Sequence, residues 1–157
     1  MYQVGDKILY PMHGAGIIKE IEKREILGSV KDYYILHVPC GDMKVMIPIE
    51  NCDMIGVRPV VSEEKIREAI EVLHGESSPM TGNWNKRYRE NMEKIKTGDI
   101  CLVAEIVRNL TRVDRESRIS AGEKKMLTNV RKILQSEIML VNNIEEHEAR
   151  QIIEDAI

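Results

Sequence analysis

The apolar residues change period at Ser62, and that change limits what this 157-residue chain can fold into more than any other feature. Before Ser62 the apolar runs are short and broken by turn residues. After it they recur at i, i+3 and i+4 over long stretches, the spacing of one helix face. The expectation is a sheet-forming part, residues 1–61, followed by a helix-forming part, residues 62–157, rather than an interleaved α/β fold.

The first part reads as five short strands. Lys7–Tyr10 stops at Pro11, and Gly14 and Gly16 mark a bend. Ile17–Ile26 is long enough to twist strongly. Leu27-Gly28-Ser29 is a turn in which Gly28 supplies a positive φ. Tyr33–Val38 follows, Cys40-Gly41-Asp42 turns the chain again, and Met43–Ile47 pairs back before Pro48. Asp53–Val57 is the expected fifth strand. Strands this short and closely spaced favour a small barrel, which leaves fewer open edges than a flat sheet. His13-Gly14-x-Gly16 lacks the helix and Lys-Ser/Thr of a phosphate cradle and fits a bend in that barrel.

The second part reads as an all-α bundle. Ser62 caps a helix with Ile66, Ala69, Ile70 and Leu73 on its apolar face. Residues 75–82, with two serines, a proline and flanking glycines, form an exposed loop. A helix runs from Asn83 to Lys96, and Thr97-Gly98-Asp99 ends it and starts another. That next helix carries Leu102, Val103, Ile106, Val107 and Leu110 on one face and Arg108, Arg112 and Arg115 on the other. The arginines fit a solvated face or a second stripe for phosphates. Ser120-Ala121-Gly122-Glu123 has the form of a capping box, and Asn143-Ile144-Glu145-Glu146 starts a short last helix.

Charge is distributed unevenly. The formal net charge is −3 overall, yet residues 83–135 alone carry +6, with acidic flanks on both sides. The only tryptophan, in a chain without phenylalanine, lies at the start of this basic block in Asn83-Trp84-Asn85-Lys86-Arg87-Tyr88-Arg89. A ring among cations and amides suits nucleic acid: Lys86, Arg87 and Arg89 for phosphates, Asn83 for sugar or base edges, and Trp84 as a wedge against a base step. A tryptophan at a helix start also serves as a packing anchor, and on that reading the chain is a protein-only adaptor.

Other functions find less support. The three cysteines, Cys40, Cys52 and Cys101, have no C-x-x-C spacing and read as reduced thiols of a cytosolic protein, so neither a metal nor a cofactor is expected. His37, His74 and His147 are scattered. No nucleophile motif or pocketed carboxylate pair appears, which favours a binding protein over an enzyme. No apolar run approaches the roughly twenty residues that span a bilayer, and Met1-Tyr2-Gln3-Val4-Gly5-Asp6 does not read as a signal peptide; a cytoplasmic monomer is expected.

Several ordered segments resemble the CarD family of bacterial transcription factors. In the first part they are Val4-Gly5-Asp6, Tyr10-Pro11-x-His13-Gly14, Gly41-Asp42 and Ile47-Pro48. In the second they are Asn83-Trp84-x-x-Arg87-Tyr88, Gly98-Asp99, residues 104–110 and Ser120-Ala121-Gly122-Glu123-Lys124-x-Met126-Leu127. The resemblance implies a Tudor-like barrel that binds the RNA polymerase β subunit, a domain shared with transcription-repair coupling factors. It also implies a helical domain placed on promoter DNA at the upstream edge of the transcription bubble, where Trp84 stabilises the open complex without base-specific readout. By the same resemblance Arg24, Met46, Ile47 and Pro48 belong to the polymerase contact, with Met46 standing where the family has an arginine; Lys44, two residues away on the same strand face, is expected to join it. Lys124 joins the DNA contact, and Lys86 replaces a family arginine, keeping charge and losing bidentate geometry.

Overall fold

The computed structural model describes residues 1–157. Its first part is an antiparallel sheet of β1 (Lys7–Tyr10), β2 (Gly14–Ile26), β3 (Ser29–Val38), β4 (Met43–Pro48) and β5 (Arg58–Pro59), in the order β4-β3-β2-β1-β5. This is the small Tudor-like barrel expected of the sequence, with β4 and β5 at its edges. The β2–β3 turn places Leu27 and Gly28 at φ +53° and +80°, the left-handed pair that matches the twist of a hairpin. A bulge between Ile18 and Glu20 resets the side-chain alternation in β2. Ile18 and Ile21 consequently pair with Leu36 and Tyr34, two of the three buried residues, with Val38, that alternate on one face of β3.

Asp53–Val57 is not a strand. Cys52–Ile55 winds into one helical turn, α1, closed by Gly56 at φ +89°, whose N–H reaches the carbonyls of Cys52 and Asp53. The fifth strand falls just beyond, where Arg58 and Pro59 pair with Leu9 and Ile8. Two residues are too few to show alternation, so turn chemistry decided the segment before strand pattern did.

The helical part comprises α2 (Glu63–His74), α3 (Trp84–Lys96), α4 (Ile100–Ser117), α5 (Ala121–Asn142) and α6 (Glu146–Ala156). Each start has a local cause. Ser62 Oγ accepts from Lys65 N–H, Asn83 from Asn85 and Lys86, Asp99 from Cys101 and Leu102, and Ser120 from Glu123. The capping box at Ser120 is only half formed, because the Glu123 side chain does not return to the cap but turns inward. No helix is long and apolar enough to cross a membrane.

One core of 32 buried residues runs without interruption through both parts, from Ile8, Ile18 and Leu36 to Leu73, Leu110, Ile138 and Ile153. At roughly 1.5–3 kcal/mol for each buried Leu or Ile side chain, this seam is a principal source of stability. The helix that forms it is α5, which lies against β2. Gly14 makes the approach possible: a Cβ there would stand 2.9 Å from Ser136 Oγ. That hydroxyl accepts from Ala15 N–H at 2.8 Å and donates to Ile133 O at 2.6 Å.

A buried ion pair completes the seam. Both Glu137 oxygens accept from Arg58 at 2.6 and 2.8 Å, and Val61 N–H adds a third bond at 3.0 Å. The same guanidinium donates to Gly98 O between α3 and α4 at 2.7 and 2.9 Å. Glu137 is 2% exposed, so the charge is stable there because its acceptor sites are filled. Elsewhere on α5, Gln135 faces the Cys40 thiol together with Glu146, and burial pushes that thiol up to about 11.

Candidate functional site

Helix α3 begins with a fixed cap and a free ring. Asn83 Oδ1 accepts from Asn85 and Lys86 N–H at 3.1 and 3.3 Å, and Asn83 N–H in turn donates to Thr81 Oγ1 at 3.3 Å. The Asn83 oxygen is therefore spent on the helix, and its amide NH2 is left for a partner. Trp84 follows as the first helical residue, 50% exposed and outside the core. A core anchor would be buried; this ring projects from a helix start where the peptide dipoles favour negative charge.

The cations around Trp84 divide into two groups. Lys86 is exposed and touches Glu90 only loosely, at 4.0 Å. Arg89 is exposed and forms no ion pair; the same holds for Lys124 and Lys125 on the first turn of α5. Arg87 faces inward. Its Nε and Nη2 donate to the two Glu123 oxygens at 2.6 Å each, and Nη1 reaches Thr81 O at 3.4 Å. Glu123 is 1% exposed, and its bond holds the guanidinium above its ordinary pKa. The pair brings the first turns of α3 and α5 together, so Lys124 lies on the surface beside the helix start that carries Trp84.

On the face of α4 opposite its apolar stripe, Arg108 and Arg112 are held by protein oxygens rather than left to solvent. Arg108 is 6% exposed and donates to Val72 O, Ser78 Oγ and Asn109 Oδ1 at 2.8–3.0 Å. Arg112 donates to Gly75 O, Leu73 O and Ser77 Oγ at 2.6–3.1 Å. The carbonyls of Val72, Leu73 and Gly75 lie at the C-terminal end of α2, where cations are favoured. Two arginines thus cap a helix more than thirty residues away and hold down the 75–82 loop. Burial pulls Arg108 below the ordinary guanidinium value. Only Arg115, 53% exposed and 3.4 Å from Glu154, stays on the surface.

The sheet gathers four of the five residues expected at the polymerase contact on one face. Alternation along β4 puts Lys44, Met46 and Pro48 on the same side, and pairing carries that side through Ile35 and Tyr33 of β3 to Glu22 and Arg24 of β2. Ile47 points the other way and is fully buried in the core. Arg24 is held by Glu22 at 2.8 Å, which keeps that carboxylate below its usual range. Lys31 on the same face bonds Glu50. The result is a mixed, cation-bearing surface on the side of the sheet away from α5. No group of three His, Cys, Asp or Glu side chains is arranged to hold a metal ion.

Comparison with known proteins agrees with this layout. The family described as "CarD-like/TRCF RID domain" matches residues 2–61, and the one described as "CarD, C-terminal domain" matches residues 68–154. A protein of Bacillus subtilis (strain 168), named "Putative transcription factor YdeB", is 40% identical over 151 residues, covering 96% of this chain and 98% of its own. With two successive family domains matched along its length, and a relative this similar over nearly all of it, the chain belongs to the CarD family.

Proposed function

We propose that the protein is a transcription factor that links RNA polymerase to promoter DNA and slows collapse of the open complex. In this reading residues 1–61 dock on the polymerase β subunit through the face bearing Arg24, Lys44, Met46 and Pro48. Residues 62–157 present Trp84 to the minor groove at the upstream edge of the bubble. The protein acts in the cytoplasm, at the nucleoid, as a monomer. Exposure of Trp84 at a capped helix start, beside the unpaired cations Arg89 and Lys124, is the observation that carries the reading.

The mechanism is a difference in affinity between two DNA states. Partial unstacking of a base step costs a few kcal/mol in closed duplex and less where the strands are already parting. A ring that enters the step therefore binds the melted edge better, and that preference shifts the equilibrium toward it. Asn83 fixes the backbone under the ring, so little freedom is lost on insertion. Lys86, Arg89 and Lys124 supply salt-dependent phosphate contacts without base readout. Arg87 serves the same site from behind by setting the angle of α3 against α5. Attachment to the polymerase raises the local DNA concentration, which allows a net-acidic protein to work with weak intrinsic DNA affinity.

The test is the lifetime of polymerase–promoter open complexes after competitor challenge, with wild type, Trp84→Ala and no factor. Wild type is expected to lengthen the lifetime, and Trp84→Ala to bind polymerase without doing so. Equal lifetimes in all three, with polymerase binding intact, would replace the wedge by a protein-only adaptor.

A further inference from the structure

We propose that the cleft between the 75–82 loop and the last turns of α4 is a second phosphate-binding site, beside Trp84 but separate from it. The inference rests on the reading that the start of α3 meets DNA. The cleft has a volume of about 480 Å³, and its walls include Ser77, Thr81 and Gly82 from the loop, Arg87 from α3, and Arg112 and Arg115 from α4. Glu116 is the only acid among its lining residues.

Its charge balance is what marks it. Arg87 is neutralised by Glu123, whereas the oxygens on Arg112 belong to two carbonyls and a hydroxyl. Arg115 reaches Glu154, but Glu154 is shared with Arg131, which lies closer. Arg112 therefore brings positive charge to the cleft with no carboxylate of its own, and Arg115 does so with one that it shares. Behind them, Arg108 likewise bonds only neutral oxygens.

The hydroxyls add directional donors. Ser77 Oγ accepts from Arg112, and Thr81 Oγ1 accepts from Asn83 N–H, which leaves the proton of each for a further acceptor. Guanidinium and hydroxyl donors around a polar cleft suit the oxygens of a phosphate. Thr81 and Gly82 immediately precede the cap of α3, so the cleft adjoins the base of Trp84. One strand of B-DNA carries a phosphate roughly every 3.4 Å of axis, so a strand meeting the ring brings further phosphates past the cleft.

Arg115→Gln is the informative variant, because the side chain is half exposed and Arg131 still holds Glu154. Binding of the full chain to a forked duplex is measured between 50 and 200 mM salt, for wild type, Arg115→Gln, Arg115→Lys and Trp84→Ala. Loss of one phosphate contact is expected to reduce the affinity change across that range by about 3.5-fold in Arg115→Gln, with partial recovery in Arg115→Lys. In parallel, pyrophosphate is titrated while the amide resonances of Ser77, Thr81 and Gly82 are followed. Shifts at those amides together with competition against the fork assign the cleft to the DNA backbone. Shifts without competition assign it to a free phosphorylated ligand. An unchanged salt slope in Arg115→Gln with silent amides, while wild type still binds the fork, overturns the cleft and leaves the Trp84 reading intact. Absence of wild-type fork binding both free and on the polymerase defeats the Trp84 reading itself, whatever pyrophosphate does.

Discussion

Helix α5 holds two buried glutamates, Glu123 and Glu137, and each grips an arginine with both oxygens. The pairs are chemically alike and organise different things. Glu137 joins the sheet to the helices through Arg58, Val61 and, by way of the same guanidinium, Gly98. Glu123 joins two helix starts within the bundle, and its arginine neighbours the exposed Trp84. The first pair therefore ties the sheet to the helices, and the second ties the helix start that carries the ring to α5. What separates them is the element on the other side of the bond.

Glu137→Ala tests the first pair and is expected to have the largest effect. It leaves the half-buried Arg58 without its counter-charge and Val61 N–H without its acceptor, for a loss of about 3 kcal/mol in urea denaturation. Glu123→Ala comes next, at about 3 kcal/mol or less, because Glu123 accepts from Arg87 alone whereas Glu137 also satisfies Val61 N–H. Its distinguishing readout is function: open-complex lifetime is expected to fall while polymerase binding persists, and Glu123→Asp to recover part of it. If both variants lose polymerase binding equally, the division of labour between the pairs fails.

Arg112→Ala probes a clamp of a third kind, charge against helix carbonyls, and is expected to cost about 1.5–3 kcal/mol with faster amide exchange at the end of α2. The smallest effect sharpens the account of the seam through Cys40. Its folded-state value, about 11, lies above the ordinary thiol value of 9.0. Below pH 9 the thiol is protonated in both states and the contribution is complete. Between pH 9 and 11 the unfolded chain ionises first, so this contribution is lost as pH rises. The urea midpoint should fall more steeply over that window in wild type than in Cys40→Ala.

Where a feature was legible in the sequence, its cause was local. Lys7–Tyr10 is bounded by Pro11, and the helix starts at Ser62, Asn83, Asp99 and Ser120 carry their own caps. The features that were not legible depend on distant partners. Arg108 and Arg112 have the i, i+4 spacing of a solvated stripe, and nothing nearby indicates that they cap α2 from more than thirty residues away. Glu123 fits a capping box by position, but Arg87 is the stronger partner. Glu137 falls in the acidic flank that follows residue 135, yet it serves as the centre of the seam. Within the candidate site, the exposure of Trp84, Lys86, Arg89 and Lys124 matches a surface reading of the basic block, and the inward turn of Arg87 required the fold.

The glycine at position 14 has a mechanical consequence. By letting β2 lie directly on α5, it removes the compliant layer that would otherwise separate sheet and bundle. A flexible linker would let the ring sample a volume and meet the duplex by chance. On the proposed reading, a stiff arm between the docked sheet and Trp84 delivers force and position together. On that view a bulkier residue at position 14 acts at a distance: it tilts the lever, and the ring then misses its step although every residue at the tip is unchanged.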